Sequence, residues 1–134
     1  MQIARIDHLV LTTRNLEKCI DFYTRVLGVP VIEHNGRYEI HFGAAKINIH
    51  QRPGEFQPAA KVPQPGALDF CLITTTPIDT VAAEIKTTHW PIELGPIARH
   101  GALGAMTSVY LRDPDGNLVE IAHYDGNALE AQRD

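Results

Sequence analysis

The sequence has little of what marks membrane, disulfide-rich or nucleic-acid-binding proteins. It contains two cysteines among 134 residues, no apolar run near the ~20 residues that cross a bilayer, and 12 basic against 16 acidic residues. The net charge of -4 leaves no basic surface for a phosphate backbone, so neither nucleic acid nor a membrane is an expected partner. The opening MQIARIDHLV lacks the residue order of a signal peptide, which predicts a cytoplasmic protein.

The two cysteines do not suggest a disulfide framework. Cys19 falls on the apolar face of a predicted helix and Cys71 within a predicted strand, so both are expected to be buried thiols of a reducing compartment. With 44% hydrophobic and 21% charged residues, the composition is typical of one globular domain.

What the chain does contain is an internal repeat. Arg5 to Thr13, RIDHLVLTT, returns as Gly66 to Thr74, GALDFCLIT, and in that alignment His8 falls on Asp69. Each copy is followed by apolar residues at helical spacing. A repeat of this length is too long for a solenoid unit and suits two half-domains. We therefore predict one domain over residues 1–134, built from modules at 1–51 and 67–124 with a linker at 52–66.

Apolar spacing and turn residues predict the order βαβββ in each module. Asn35-Gly36 is a strong hairpin signal, and Thr76 before Pro77 predicts the cap of the second helix. The polar tail from Asp125 to Asp134 is expected to fray. The predicted fold is α+β, with tandem modules forming a curved mixed sheet around a cleft. The predicted strands are 3–13, 30–34, 38–43, 46–51, 67–74, 92–98, 105–112 and 117–124, and the helices are 16–27 and one ending near Thr88.

A few polar residues on these strands are candidates for chemistry. Alternation places Glu120 on one face with Leu118 and Ala122, where an ionised carboxylate is costly unless a cation or donor meets it. The alternative is that this face is exposed and Glu120 is solvated. Asn48 and His50 share one face of the fourth strand, although a lone strand histidine is more often a surface or hydrogen-bonded residue than a ligand.

The duplicated plan favours a metal site over those alternatives. Two modules folded about a shared axis bring equivalent strand positions into one cleft, and His8 and Asp69 are such equivalents. Glu120 and the Asn48/His50 pair lie on the corresponding final strands. A set of two histidines and two carboxylates suits Zn, Ni, Mn or Fe(II) and neutralises a divalent charge.

Taken in order, the motifs resemble the vicinal oxygen chelate superfamily, which includes glyoxalase I, fosfomycin-resistance proteins, extradiol dioxygenases and bleomycin-resistance proteins. IDHLVLTTRNLEKCIDFYTRVLGVPV, Ile6 to Val31, resembles the family's first module, and YLRDPDGNLVEIAHY, Tyr110 to Tyr124, its closing hairpin. KINIHQ and the segments GALDFCLITTTPID and GPIARHGALGAMTSVYLRDPDGNLVEI are similar to the subfamily called glyoxalase domain-containing protein 5.

The resemblance implies metal ligands on the first, fourth, fifth and eighth strands: His8, then Asn48 or His50, then Asp69 and Glu120. The chain departs from glyoxalase I twice, with Asp69 in place of a histidine and Asn48 in the register of a glutamate. Because imidazole is a better ligand than a carboxamide for borderline metals, we predict His50 rather than Asn48.

The function implied is a metal-dependent lyase or isomerase of the glyoxalase type, which chelates a small carbonyl or vicinal-oxygen compound, with Glu120 as the proton-shuttling catalytic residue. The alternatives are an Fe(II) extradiol-type dioxygenase and a metal-free small-molecule-binding protein of the bleomycin-resistance kind. Arg99 is a candidate anion-binding residue in a flexible loop, or simply a solvated arginine. Tyr110 and Phe70 are candidate pocket residues, and a homodimer is expected by analogy.

Overall fold

This computed structural model describes residues 1–126, which form two four-stranded sheets with one helical segment in each module. The predicted α+β class and the tandem βαβββ order are confirmed. The strands are β1 His8–Thr12, β2 Val31–His34, β3 Arg37–Phe42, β4 Ala45–His50, β5 Asp69–Ile73, β6 Leu94–Gly101, β7 Gly104–Arg112 and β8 Leu118–Tyr124. The α-helices are α1 Leu16–Asp21 and α2 Ile78–Thr87.

Both sheets have the same topology. The first has the strand order β1-β4-β3-β2 and the second β5-β8-β7-β6. In each, the first strand of the module pairs in parallel with the last, β1 with β4 and β5 with β8, and the other pairings are antiparallel. The described residues divide into two compact units, one comprising Met1–Leu68 with Pro114–Gly116 and the other Asp69–Asp113 with 117–126.

The first unit buries one face of its sheet together with its helix. Leu11, Ile40 and Ile47 are fully buried on the strands. The helix continues beyond α1 as a π-helical turn over Phe22–Val26, in which the Leu27 N–H donates to the Phe22 carbonyl at 3.2 Å. This wider turn lets the adjacent aromatic residues at its start both point inward, and both are 0% exposed, with ring centroids 4.9 Å apart.

A tight turn connects β7 and β8. Asp113 accepts hydrogen bonds from the Asn117 backbone N–H at 3.0 Å and from Asn117 Nδ2 at 2.8 Å, and its own N–H donates to the Asn117 carbonyl at 3.0 Å. Gly116 supplies the positive φ of 91° that the turn requires. Asp113 and Asn117 are 3% and 1% exposed, so the two hydrogen-bonded polar side chains are buried.

Several boundaries differ from the sequence-based predictions. Strand β1 begins at His8 rather than Ile3, and the second helix begins at Ile78 with Pro77, not Thr76, at the cap position. The Thr76 N–H instead donates to Thr74 Oγ1 at 3.0 Å.

The prediction of a flexible loop around Arg99 was wrong. Arg99, His100 and Gly101 belong to β6, which pairs with β7 through the register partners Gly101 and Gly104. The ladder continues through these residues because their backbone hydrogen bonds go to β7, which leaves only a two-residue turn between the strands.

The two cysteines also differ from each other. Cys19 is buried on α1 as predicted, but Cys71 is exposed, because it lies on the more exposed of the two faces of β5, together with Asp69 and Ile73. Neither cysteine, both of which lie in the described part of the chain, forms a disulfide.

No helix within residues 1–126 is long and apolar enough to span a membrane. The tail predicted to fray, Asp125 to Asp134, lies outside the described residues from position 127 onward, and the Asp125 N–H donates to the Ala105 carbonyl at 3.0 Å.

The buried Asp113–Asn117 pair generates a stability prediction. Replacing Asp113 by Ala leaves two buried Asn117 donors without their acceptor, so we expect Asp113→Ala to lower the free energy of unfolding by about 2 to 4 kcal/mol. Urea denaturation followed by circular dichroism measures this change. Glu84→Ala, which removes an exposed carboxylate on α2, is the control and should change stability by less than about 0.5 kcal/mol. Equal effects of the two substitutions would contradict the role of the pair.

Candidate metal-binding residues and ligand cavity

Strand alternation separates the first sheet into a core face and a polar face. On β4, Ile47 and Ile49 point into the core, and Lys46, Asn48 and His50 lie on the opposite face. Because register partners on adjacent strands share a face, the β1 residues His8, Val10 and Thr12 lie on that polar face as well.

His8 and Asn48 are neighbours on this face. The register pairs Asn48 with Val10, so Asn48 lies one same-face step along the strands from His8, about 7 Å. The Nδ1 atom of His8 lies 2.9 Å from Asp7 Oδ2, an arrangement that leaves Nε2 available to a metal. Buried Asn48 Oδ1 has no hydrogen-bond partner among the described residues.

The structure does not bring His50 to His8. The register pairs His50 with Thr12 and His8 with Lys46, which places the two histidines four residues apart along the strands, about 13 Å. A single ion with bonds of about 2 Å to each nitrogen is out of reach for both rings. Of the two candidates on β4, Asn48 is therefore the one nearer to His8.

His50 has different surroundings. Its ring packs edge-on against Phe56 with centroids 5.0 Å apart, and the Arg37 guanidinium lies 3.7 Å from the centre of the Phe56 ring. Desolvation by burial lowers the pKa of His50 below its ordinary value, against the attraction of Glu55. His50 is therefore an imidazole held in place by an aromatic neighbour.

The second unit repeats the pair with two carboxylates. The β5/β8 register pairs Cys71 with Glu120, so Glu120 lies one same-face step along the strands from Asp69, about 7 Å. Buried Glu120 Oε2 finds no hydrogen-bond partner in the portion of the chain that the structure describes. Desolvation and, to a lesser degree, the Glu120 charge raise the pKa of the Cys71 thiol to about 12.

The two pairs are equivalent under the internal repeat. In each pair, one residue, His8 or Asp69, begins the first strand of its module. The other, Asn48 or Glu120, lies on the last strand, one same-face step away, and carries a buried oxygen without a partner among the described residues. Native proteins satisfy nearly all buried polar atoms, so an oxygen without a partner at two equivalent positions calls for a ligand or a proton. Carboxylate, amide and imidazole donors are suitable for a borderline divalent ion.

Glu39 forms ion pairs with Lys46 and His41, a cluster called here the Glu39 hub, and thereby neutralises a cation beside the first pair. Glu39, the β3 register partner of Asn48, accepts from Lys46 Nζ at 2.6 Å and lies 2.8 Å from His41 Nε2. The hydrogen bond from Lys46, and then the one from His41, lower the pKa of Glu39 from 4.5 to about 2. Lys46 is the register partner of His8, so the hub prevents an uncompensated ammonium beside that histidine.

The other predicted site residues lie in the second unit. Tyr110 is the β7 register partner of Glu120, and its hydroxyl accepts from Arg99 Nε at 3.0 Å. Arg99 is therefore neither a free loop cation nor fully solvated. Phe70 lies between Asp69 and Cys71 on β5 and so points to the opposite face of the sheet from both.

Within residues 1–126, no three His, Cys, Asp or Glu side chains lie close enough together to hold an ion. Each unit by itself provides one pair of candidate ligands, His8 with Asn48 in the first and Asp69 with Glu120 in the second.

A family model described as the Glyoxalase/Bleomycin resistance protein/Dioxygenase superfamily matches residues 5–121. The chain belongs to this superfamily. This confirms the resemblance at the level of the superfamily, whose members commonly use divalent metals and bind small molecules.

Similar proteins extend the match to nearly the full length. Virulence protein STM3117 of Salmonella typhimurium is 49% identical over 125 residues, covering 92% of this chain and 87% of the relative. Its crystal structure has a TM-score of 0.89 and is covered to 99%. Glyoxalase domain-containing protein RDO1 of Mycosarcoma maydis is 42% identical, over 92% of this chain and 70% of the relative. The integron cassette protein VCH_CASS1 of V. cholerae is 41% identical with a TM-score of 0.89, over 93% and 98%.

Sequence reasoning missed Asp7 and the Glu39 hub. Asp7 directly precedes His8 in the sequence, so a carboxylate partner for that histidine was available as a signal. The sequence contains no comparable signal for Glu39, because its hydrogen bond with Lys46 depends on the β3/β4 register.

The Glu39 hub generates a pH prediction. Because the folded pKa of Glu39 is about 2 against 4.5 ordinarily, its stabilisation is fully present above pH 4.5 and is lost as the pH falls towards 2. Glu39→Gln should therefore be less stable than the natural protein at pH 6, with the difference narrowing steadily from pH 4.5 to 3. Denaturant titrations at each pH measure it, with Glu84→Gln as the control. A difference that stays constant over this range would argue against the hub.

Proposed function

We propose that this chain is a metal-dependent lyase or isomerase of the glyoxalase type that acts on a small carbonyl or vicinal-oxygen compound. Membership of the superfamily supports a small-molecule site of this general kind. The similarity to a glyoxalase domain-containing protein supports, without deciding, the finer assignment to the glyoxalase domain-containing protein 5 subfamily.

The observation that carries the proposal is the pair of buried oxygens without partners, Asn48 Oδ1 and Glu120 Oε2, at equivalent positions of the two modules. A carboxylate or amide oxygen in this state is costly to bury. A cation bound to such an oxygen would remove that cost.

The proposed ligands are His8 through Nε2, Asn48 through its amide oxygen, and the carboxylates of Asp69 and Glu120. One imidazole, one amide and two carboxylates balance a divalent charge. When bound, such an ion polarises two adjacent substrate oxygens as a Lewis acid. Asp7 orients the His8 ring through Nδ1, and the Glu39–Lys46 ion pair keeps the ammonium from opposing the ion.

Glu120 is the proposed catalytic residue. Its Oε2 has no hydrogen-bond donor among the described residues, so when this oxygen is not bound to the ion it can accept a proton without breaking a hydrogen bond within the protein. A proton held at Oε2 and returned to an adjacent substrate carbon would accomplish an isomerisation of the glyoxalase type. Tyr110, the register partner of Glu120, would position that carboxylate, with Arg99 holding the Tyr110 hydroxyl.

A second candidate function is metal-free binding of a small molecule. The observation that favours it is an apolar cavity of about 420 Å³ in the first unit, which needs no ion to hold a ligand. A homodimer is proposed for either function, by analogy within the superfamily, and sedimentation velocity tests it.

Metal binding decides between the two functions. We expect about one Zn²⁺ or Ni²⁺ per chain by isothermal titration, with affinity falling more than about 100-fold in His8→Ala and Glu120→Gln, and about 10- to 100-fold in Asp7→Asn, because outer partners tune rather than supply the bond. His50→Ala is the matched histidine control and should keep its metal. Full metal affinity in His8→Ala, or no metal uptake by the natural protein, would refute the proposed enzyme.

Turnover assays then separate the reactions. Loss of methylglyoxal hemithioacetal absorbance by the Ni²⁺ or Zn²⁺ protein, abolished in Glu120→Gln, is the result expected for the lyase. Oxygen consumption with catechols by the Fe(II) protein would instead indicate the dioxygenase.

A further inference from the structure

A cavity of about 420 Å³ lies entirely within the first unit. One wall is the polar face of the sheet, where Val10, Thr12 and His50 line it. The other wall is the connector that follows β4, mainly through the segment 58–68. Its size is within the range of about 300 to 1,000 Å³ for small-molecule sites.

We propose that this cavity holds an uncharged apolar group of the substrate, an aromatic ring or a branched hydrocarbon chain, while the oxygens of the same molecule reach the His8/Asn48 pair. The inference names the substrate class for the proposed function and rests on it. It also identifies His50, which is not placed among the metal ligands, as a residue that contacts the substrate body.

The chemistry of the lining supports an uncharged occupant. Proline, alanine, valine and leucine side chains form most of the wall, and Thr12, His50 and Gln64 are its polar members. The described residues that line it include no lysine, arginine, aspartate or glutamate. A charged group placed there would lose its hydration without gaining an opposite charge, which is strongly unfavourable. Threonine, histidine and glutamine each supply hydrogen bonds that fix orientation.

Continuity with the ligand face supports a single molecule that spans both places. Val10 lines the cavity and is at the same time the register partner of Asn48. His50 lies one same-face step beyond Asn48 on β4, about 7 Å away. If the apolar end of a molecule lies between Val10 and the connector, its other end therefore lies only a few bond lengths from Asn48.

His50 is held rigidly for this role. Its ring packs on Phe56, which is covered in turn by the Arg37 guanidinium. A ring positioned by an edge-on aromatic neighbour loses little entropy when a ligand arrives, so it can contribute both shape and one hydrogen bond.

Two dyes that differ by one charged group test the proposal. N-phenyl-1-naphthylamine is uncharged, and 8-anilinonaphthalene-1-sulfonate is the same scaffold with a sulfonate. Fluorescence titration of the full chain should show the uncharged dye binding at least about tenfold more tightly. Equal affinities, or tighter binding of the sulfonate, would overturn the proposal.

Substitutions at the cavity locate the binding. Ala60→Trp and Val10→Trp, on opposite walls, should each weaken binding of the uncharged dye at least about tenfold, because the indole occupies the space. Ala102→Trp, in the β6–β7 turn, is the matched control and should bind as the natural protein does. Circular dichroism checks that all three fold. Unchanged dye binding in both folded cavity variants would overturn the proposal.

Metal titration of the same variants separates the two proposals. If Ala60→Trp no longer binds the uncharged dye but keeps its affinity for Zn²⁺, the result supports a cavity that is distinct from the His8/Asn48 pair. Dye binding without any Zn²⁺ uptake by the natural protein would refute the metal-dependent function, and with it the placement of the substrate oxygens at His8 and Asn48.

Discussion

The parallel pairing of the first and last strand of each module is the constraint on which the rest of the structure depends. It closes each βαβββ sheet by joining residues that are distant in sequence, β1 with β4 and β5 with β8. Its register determines that His8 is matched with Asn48, and Asp69 with Glu120, one same-face step apart. A slip of one residue would turn each final strand over and direct these oxygens into the apolar core.

The charges around the His8/Asn48 pair are compensated within the first unit. Glu39 lies opposite Asn48 on β3 and binds Lys46, which lies opposite His8. Without that ion pair, the Lys46 ammonium would lie uncompensated beside a histidine proposed to bind a cation. In the second unit, Tyr110 occupies the position beside Glu120 that Glu39 occupies beside Asn48. The repeat therefore preserves geometry while the chemistry of equivalent positions has diverged.

The polar face of the first sheet has two neighbouring regions of different character. Around His8, Asn48 and Glu39 it carries charged and amide groups, whereas one step further, at Thr12 and His50, it borders an apolar cavity under the connector. This juxtaposition matches a substrate with chelating oxygens at one end and a hydrocarbon body at the other. His50 and Asn48 share a face and a strand, so alternation alone does not distinguish them as candidate ligands.

The sequence by itself determined the βαβββ repeat, the hairpins and the residues of the candidate pairs, because alternation, turn residues and the alignment of His8 with Asp69 are local or repeated signals. It could not choose between Asn48 and His50, since both lie on the same face of one strand and only the pairing with β1 shows which is near His8. The inclusion of Arg99 in β6, the exposure of Cys71 and the Glu39–Lys46 bond were likewise decided by tertiary structure, because each depends on which distant strand supplies the neighbour.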